Sequence, residues 1–244
     1  MFDFVRKPLL WSAWDAGLAD EIGSTPDFEL KAIQDLAVYT HLRDAAGLRI
    51  AEAGAGNSRL LPALAPANEC VAVDKFAGEA GGPSRAPEIA GVRTVAAYLG
   101  EGDPGLADAA FDVVFSISVL EHVGGAAVDA FHRDQLRILK PRGLFLHAID
   151  IYLEDSPAPL EVGRFETYRR WVTSTPSVEP IGPVYEGPCR FSCDLATNPD
   201  NVMYLWGRSA PALTELRQSA QSASVLVGGR KLAPSGDEGN GPAR

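Results

Sequence analysis

Residues 48–74 read L-R-I-A-E-A-G-A-G-N-S-R-L-L-P-A-L-A-P-A-N-E-C-V-A-V-D. A short apolar run ends in Glu52, a glycine loop follows at Gly54 and Gly56, and Asn57 and Ser58 precede apolar Leu60, Leu61 and Leu64. That order of residue types predicts a strand, a tight turn and the start of a helix. A second apolar run, Cys70 to Val73, ends in another acid, Asp74. The spacing, about twenty residues from acid to acid, predicts half of a mononucleotide-binding βαβ unit. Asp74, at the carboxyl end of its strand, is placed to accept two hydrogen bonds from a vicinal diol such as a ribose.

Glycine suits such a loop because no Cβ obstructs a sharp turn or a close ligand. Asn57 or Ser58 can cap the new helix, where free N–H groups favour an anionic group. A dinucleotide loop of the form G-x-G-x-x-G requires glycine at position 59, and the chain has Arg59.

The 244 residues fit one large domain, and 46% apolar composition supports a sizeable core. A net charge of −10 without a lysine or arginine cluster disfavours nucleic acid as a partner, because phosphate binding needs a basic footprint. Cys70, Cys189 and Cys193 suggest neither a disulfide framework nor a metal site, and a reduced cytoplasmic setting fits. The N-terminus lacks the pattern of a signal peptide, and no apolar run reaches the length of a membrane span.

Ahead of the glycine loop, residues 1–46 predict an N-terminal helical cap. Leu9, Leu10, Trp11, Trp14 and Leu18 recur at helical spacing behind Pro8, and Asp27 is placed to cap a helix carrying Leu30, Ile33, Leu36 and Tyr39. After Asp74, residues 77–91 are rich in helix breakers and predict a short helix or an ordered loop. Arg93 to Tyr98 reads as a third strand, Phe111 to Ser118 as a fourth buried on both faces, and Leu144 to Ile151 as a fifth. A helix over 126–140 separates the last two. Strands alternating with helices imply a parallel sheet covered on both faces. Residues 152–180 interrupt the alternation as a substrate-specificity insert, with Phe165, Tyr168 and Trp171 among Arg164, Arg169 and Arg170. Segments around Val184 to Phe191 and Val202 to Trp206 are expected to supply the last strands, within a domain spanning 47–227. Residues 228–244 are expected to form a disordered tail.

The stretch F-D-V-V-F-S-I-S-V-L-E-H-V at 111–123 and L-R-I-L-K-P-R-G at 136–143 occur in order behind the E-x-G-x-G loop. Together they resemble the class I S-adenosylmethionine-dependent methyltransferases, in the type 11-like subgroup with a VLEHV motif. Arg142 stands where that subgroup has glycine, and Tyr98-Leu99-Gly100-Glu101 departs from the usual acid after strand three. The resemblance implies a Rossmann-like, seven-stranded, mostly parallel sheet with an antiparallel last strand, helices on both faces, and S-adenosylmethionine as cofactor. It implies that Glu52, Gly54 and Gly56 hold the amino-acid end of the cofactor and that Asp74 binds its ribose. Lys75 or Phe76 would flank the adenine, Leu99 and Gly100 would lie where strand three meets its edge, and Ser116 and Ser118 would lie near the sulfonium.

A methyl sulfonium is already electrophilic, so alignment supplies much of the catalysis, and oxygen acceptors usually also need a base. His122 leaves strand four at the carboxyl edge, and holding the loop is as reasonable a role for it as catalysis. His132 reads as a hydrogen-bonded structural residue. His147 and Asp150, three apart on a strand, face opposite ways. Asp150 is the better active-site candidate, with Tyr152 beside it. Asp150, Glu154 and Asp155 could hold a hard metal ion, but an acidic solvated loop is the simpler reading, and no metal is expected. No N-P-P-Y-type tetrapeptide follows strand four, which favours oxygen or carbon acceptors over amides and bases. The expectation is methyl transfer to a small hydroxylated metabolite or sugar. An NAD-dependent oxidoreductase and a catalytically silent cofactor-binding module are the rivals.

Overall fold

The computed structural model describes residues 1–24, 30–78, 82–154, 159–189 and 220–234, with the side chains of 152–154 and 220–223 outside that description. The strands are β1 (Phe2–Phe4), β2 (Arg49–Ala53), β3 (Glu69–Asp74), β4 (Val92–Ala96), β5 (Phe111–Ile117), β6 (Leu139–Glu154), β7 (Val178–Pro180) and β8 (Ala220–Lys231). The helices are α1 (Lys7–Asp15), α2 (Leu18–Glu21), α3 (Leu30–Leu42), α4 (Leu60–Leu64), α5 (Gly125–Ile138) and α6 (Pro159–Thr173).

One sheet runs in the order β1-β8-β6-β5-β2-β3-β4, with β7 also on β8, so the sheet has eight strands instead of the expected seven. The pairs β2–β3, β2–β5, β3–β4 and β5–β6 are parallel, and β8 is antiparallel to β6. The order reverses at β2, whose neighbours are β3 and β5. At such a switch point the loops leave to opposite sides and open a crevice at the strands' carboxyl ends.

Period-two alternation sorts the core into two layers. Ala51, Val71, Val114 and Phe145 face α5 and α6, joining Phe131, Phe165, Tyr168 and Trp171. Ile50, Cys70, Phe115 and Leu146 face the other way, joining Leu10, Ile33, Leu36 and Leu60. Each fully buried side chain of this size contributes roughly 1.5–3 kcal/mol. The N-terminal helices therefore form one of the two layers covering the sheet. Pro8 sits in the first turn of α1, as its spacing predicted, and the proposed Asp27 cap lies outside the described residues.

Three expectations change. Residues 2–4 form a strand, β1, clamped between β8 and the chain at Val184. Val184 makes only that isolated bridge, and 202–206 lie outside the described residues. The last strand is β8, so Gly228 to Lys231 belong to the sheet and not to a tail: Gly228 pairs with Leu146, and Gly229 with Phe145 and Pro180. The aromatics of residues 164–171 are core residues, with Phe165 and Tyr168 fully buried. The arginines pair along their own helix, Arg164 with Glu161 and Arg169 with Glu166. Trp11 and Trp14 contact each other with ring centroids 4.8 Å apart and planes tilted by 57°, and neither lines the crevice.

Candidate active site

Between β2 and α4 the chain turns at Gly54 (φ +65°) and Gly56 (φ +47°), both in the left-handed region that favours glycine. A Cβ on Gly54 would overlap Val119 Cγ2, with Val119 Cγ1 at 3.0 Å. The loop thus closes directly on the exit of β5. Ser58 Oγ accepts from the Leu61 N–H at 3.0 Å and ties down the start of α4. Asp74 ends β3 with Oδ2 accepting from Gly56 N–H at 3.0 Å and Oδ1 accepting from Phe76 N–H at 2.7 Å. A carboxylate has about four acceptor sites, so this acid orders both loops and retains capacity for a diol.

These loops wall a crevice of ≈ 380 Å³ whose lining includes Lys75, Leu99, Ser118 and His122. Glu52, Gly54, Gly56 and Asp74 line it as well. Glu52 is 5% exposed, and its Oε2 has no hydrogen-bond partner. Burial pushes its pKa up to about 8, against the pull of the Ser58 hydroxyl. A buried carboxyl of this kind is a socket for a cation or hydrogen-bond donor.

Lys31, a lining residue, was not singled out in the sequence, and Arg59 was noted only as the break in a dinucleotide loop. Lys31 of α3 and Arg59 line the crevice, and Arg59 forms an ion pair with buried Asp35. The side chain at the position a dinucleotide loop would give to glycine thus pins the loop to α3. Among the expected residues, Lys75 lies over the Tyr98 ring, 5.6 Å from its centroid. His122 stands at the mouth with a half-exposed side chain, and burial lowers its pKa.

Gly100 and Ser116 do not line the crevice. Gly100 has φ +115°, and a Cβ there would come within 3.1 Å of the Phe131 N, so it is glycine to let α5 pack closely. Ser116 is fully buried on the α5 side and donates to His147 Nδ1 at 2.8 Å. His147 Nε2–H then donates to Gln135 Oε1 at 2.7 Å, Gln135 donates to His132 Nδ1 at 2.7 Å, and His132 Nε2–H donates to Thr175 Oγ1 at 3.2 Å. The Gln135 amide makes Nδ1 of His132 an acceptor, so that imidazole is neutral, and full burial favours the neutral form of His147 as well. Burial correspondingly lowers the pKa of His132 to about 4 and of His147 to about 3.

Asp150 faces α3, on the opposite side from His147, and lies behind the crevice wall. Gln34 donates to Asp150 Oδ1 and accepts from the Ser118 hydroxyl, so one amide joins the carboxyl to a lining residue. Ser118 reaches that side because its φ of +52° breaks the strand alternation it would otherwise share with Ser116. The Tyr152 and Glu154 side chains, and all of Asp155, lie outside the described residues. Glu121, the acid of V-L-E-H-V, was not singled out. Its side chain is 8% exposed beside Asp150, and both its oxygens lack hydrogen-bond partners. Among the described residues no group of three or more His, Cys, Asp or Glu is spaced to hold a metal ion. No helix among them is long and apolar enough to cross a membrane.

This strand order, with a glycine loop after β2 and an acid ending β3, defines a class I methyltransferase fold. Residues 51–147 match the family model described as a methyltransferase domain, and that stretch of the chain is a methyltransferase domain. No curated protein is detectably similar in sequence. Among solved structures, the chain is similar to the geranyl diphosphate C-methyltransferase of Streptomyces coelicolor A3(2), solved with Mg²⁺, geranyl diphosphate and S-adenosyl-L-homocysteine. The identity is 16%, the TM-score 0.53, and the coverage 80% of this chain and 76% of that one. It is also similar to phosphoethanolamine N-methyltransferase 2 of Haemonchus contortus, solved with S-adenosyl-L-methionine, at 15% identity, TM-score 0.53, and 82% and 52% coverage. The [4+2]-cyclase SpnF shares 15% identity at TM-score 0.50, over 92% and 94% of the two chains. At these identities the likeness is one of fold, and the reactions named differ.

Proposed function

We propose that the chain transfers the methyl group of S-adenosylmethionine to oxygen on a small hydroxylated acceptor. The observation that carries this reading is the partnerless Glu52 Oε2, buried in a glycine-walled crevice that also holds Asp74. Those features fit the cofactor: Glu52 suits its ammonium, Gly54 and Gly56 leave room for its amino-acid end, and Asp74 suits its ribose diol. Lys75 and Leu99 would flank the base, and Ser118 and His122 would lie toward the sulfur. When bound, the cofactor supplies a methyl group on a positively charged sulfur. The protein's part is to align an acceptor and to take up its proton, for which Asp150 and His122 are the candidates. Tyr152 remains a candidate by sequence position alone.

Calorimetric titration with S-adenosylmethionine, S-adenosylhomocysteine and NAD tests the cofactor assignment. Micromolar binding of the first two without the third is expected. NAD binding alone would overturn it. Mass spectrometry of products from a panel of hydroxyl, amine and carbon acceptors tests the transfer to oxygen. A chain that works without transfer would bind S-adenosylmethionine and give no methylated product.

A further inference from the structure

Lys31 lines the crevice from the first turn of α3, and the residue is exposed. On a helix, residues three and four apart share a face. Gln34 and Asp35, three and four residues on, are the side chains through which α3 reaches the site. Gln34 accepts from the Ser118 hydroxyl, and Asp35 pairs with Arg59. Lys31 therefore stands one turn further along the same face. Its charge is felt by Glu52 of β2 and by His122 after β5, so its ammonium lies between the glycine loop and the exit of β5. Among the described residues no carboxylate stands within ion-pair distance of it. The other two lysine and arginine side chains of the lining are already placed. Lys75 lies over the Tyr98 ring, and Arg59 is fixed by Asp35 through Nε. Arg59 keeps its two terminal nitrogens, near Glu52, to meet the carboxylate of a bound cofactor. With Glu52 for the ammonium and Arg59 for the carboxylate, the cofactor's amino-acid end has partners without Lys31.

Building on methyl transfer to oxygen, we propose that Lys31 binds the acceptor through a carboxylate, so that the acceptor is a hydroxy acid. The chain carries a net charge of −10, and an anionic acceptor needs a local cation at its site to offset that field. An ammonium is a compact point charge with three donors, and it grips an anion without the planar fork that arginine requires. One positive charge matches one carboxylate. A phosphate monoester carries about −1.5 to −2 at neutral pH and would leave charge unmet. Ser118 and His122 line the same crevice. A molecule held at Lys31 by its carboxylate therefore has its hydroxyl free to turn toward them, where the proposed function sets the sulfur. Lys31 takes no part in making or breaking bonds. It selects the acceptor, because a neutral analogue of the same shape forgoes a charge-assisted hydrogen bond.

The test uses the full chain as wild type, Lys31→Gln and Lys31→Arg. Calorimetry with S-adenosylhomocysteine should give nearly the same affinity in all three. A loss of about tenfold or more in Lys31→Gln would put Lys31 on the cofactor's own carboxylate and overturn the proposal. Methyl-labelled S-adenosylmethionine is then offered with matched acceptors: a hydroxybenzoic acid and its amide, a sugar acid and its sugar, glycerate and glycerol. Sugar phosphates and a deproteinised extract of small molecules complete the panel, and mass spectrometry reads the products. The labelled products should be carboxylic acids. Lys31→Gln should raise KM for such an acid by about tenfold or more with kcat little changed, and should erase the preference for the acid over its amide. Lys31→Arg should restore most of that preference, whereas a loss of packing alone would act on acid and amide alike. Products that are all neutral or phosphorylated, or an acid preference that survives in Lys31→Gln, would overturn the proposal. If S-adenosylhomocysteine binds and nothing is labelled, methyl transfer itself fails and this inference with it. If S-adenosylhomocysteine does not bind, the cofactor assignment fails first.

Discussion

Glu52 shows how one side chain sets the thermodynamics of the site. Its carboxyl is buried and lifted to about 8, so it carries a proton at neutral pH. Pairing with an ammonium requires the ionised form. Binding of S-adenosylhomocysteine at pH 7 should therefore release close to one proton. Calorimetry in buffers of different ionisation enthalpy reads this directly, and a heat independent of the buffer would contradict the assignment. Glu52→Gln should abolish the release and weaken binding by about tenfold or more, the scale of a lost charge-assisted hydrogen bond. Gly54 is constrained twice, by its φ of +65° and by Val119. Gly54→Ala should cost about 1–3 kcal/mol and weaken cofactor binding. Adding Val119→Ala should recover only part of the loss, since it removes the overlap and leaves the backbone strain. Full recovery would show that the backbone conformation is unimportant.

At the scale of elements, the junction between α5 and β6 contains a residue that breaks a local rule. Arg142 adopts φ +66° in the irregular turn where the β5–β6 register shifts from Phe111↔Leu139 to Val113↔Leu144. Its carbonyl accepts from Arg230 Nη1 at 2.8 Å, a bond glycine would keep. Arg142→Gly should therefore stabilise the chain by about 0.5–1 kcal/mol, measured by urea unfolding. A loss of stability would mean that the arginine side chain compensates for the strain. The same register explains what could be read in advance. β2, β3 and β5 were legible because helices cover both faces and their apolar runs are continuous. β8 was not: Gly228 and Gly229 look like tail residues. A Cβ at Gly229 would come within 2.7 Å of both Phe145 Cζ and Val178 Cγ1, and one at Gly228 within 2.9 Å of Ile181 Cδ1. These glycines are strand residues made small by what lies on them, a tertiary cause that composition does not reveal. Likewise Ser116 and Ser118 share a face by simple alternation. Only the positive φ at Ser118, a feature of the folded turn, sends one to Gln34 and leaves the other on His147. The aromatic run in α6 has the spacing of a binding surface and of a core helix alike, and it packs as core.

For the whole molecule, buried titratable groups of opposite sign define the pH range of stability. Glu52 and Glu121, raised to about 8 from 4.5, hold protons in the folded chain that the unfolded chain has released. Their contribution is complete below 4.5 and is lost as pH rises through 8. His132 and His147, lowered from 6.5 to about 4 and about 3, behave in the opposite way. Their contribution is complete above 6.5 and is lost as pH falls through those values. The buried amine of Met1, lowered from 8.0 to about 5, offsets one of the two raised carboxyls between those limits. With Asp150 also raised, from 3.8 to about 6, three raised carboxyls oppose the two histidines and the amine between 5 and 6, so stability should form a plateau there. From 6.5 to 8 the folded chain holds about one extra proton, and stability should fall by about 1–2 kcal/mol. Below 4.5 the histidines outweigh Asp150, and stability should fall again. Urea unfolding from pH 3.5 to 8.5 reads the whole curve. The double variant Glu52→Gln with Glu121→Gln should reverse the alkaline slope, because the Met1 amine then acts alone and favours the folded chain as pH rises. An alkaline slope unchanged in that variant would show that neither carboxyl keeps its proton in the folded chain.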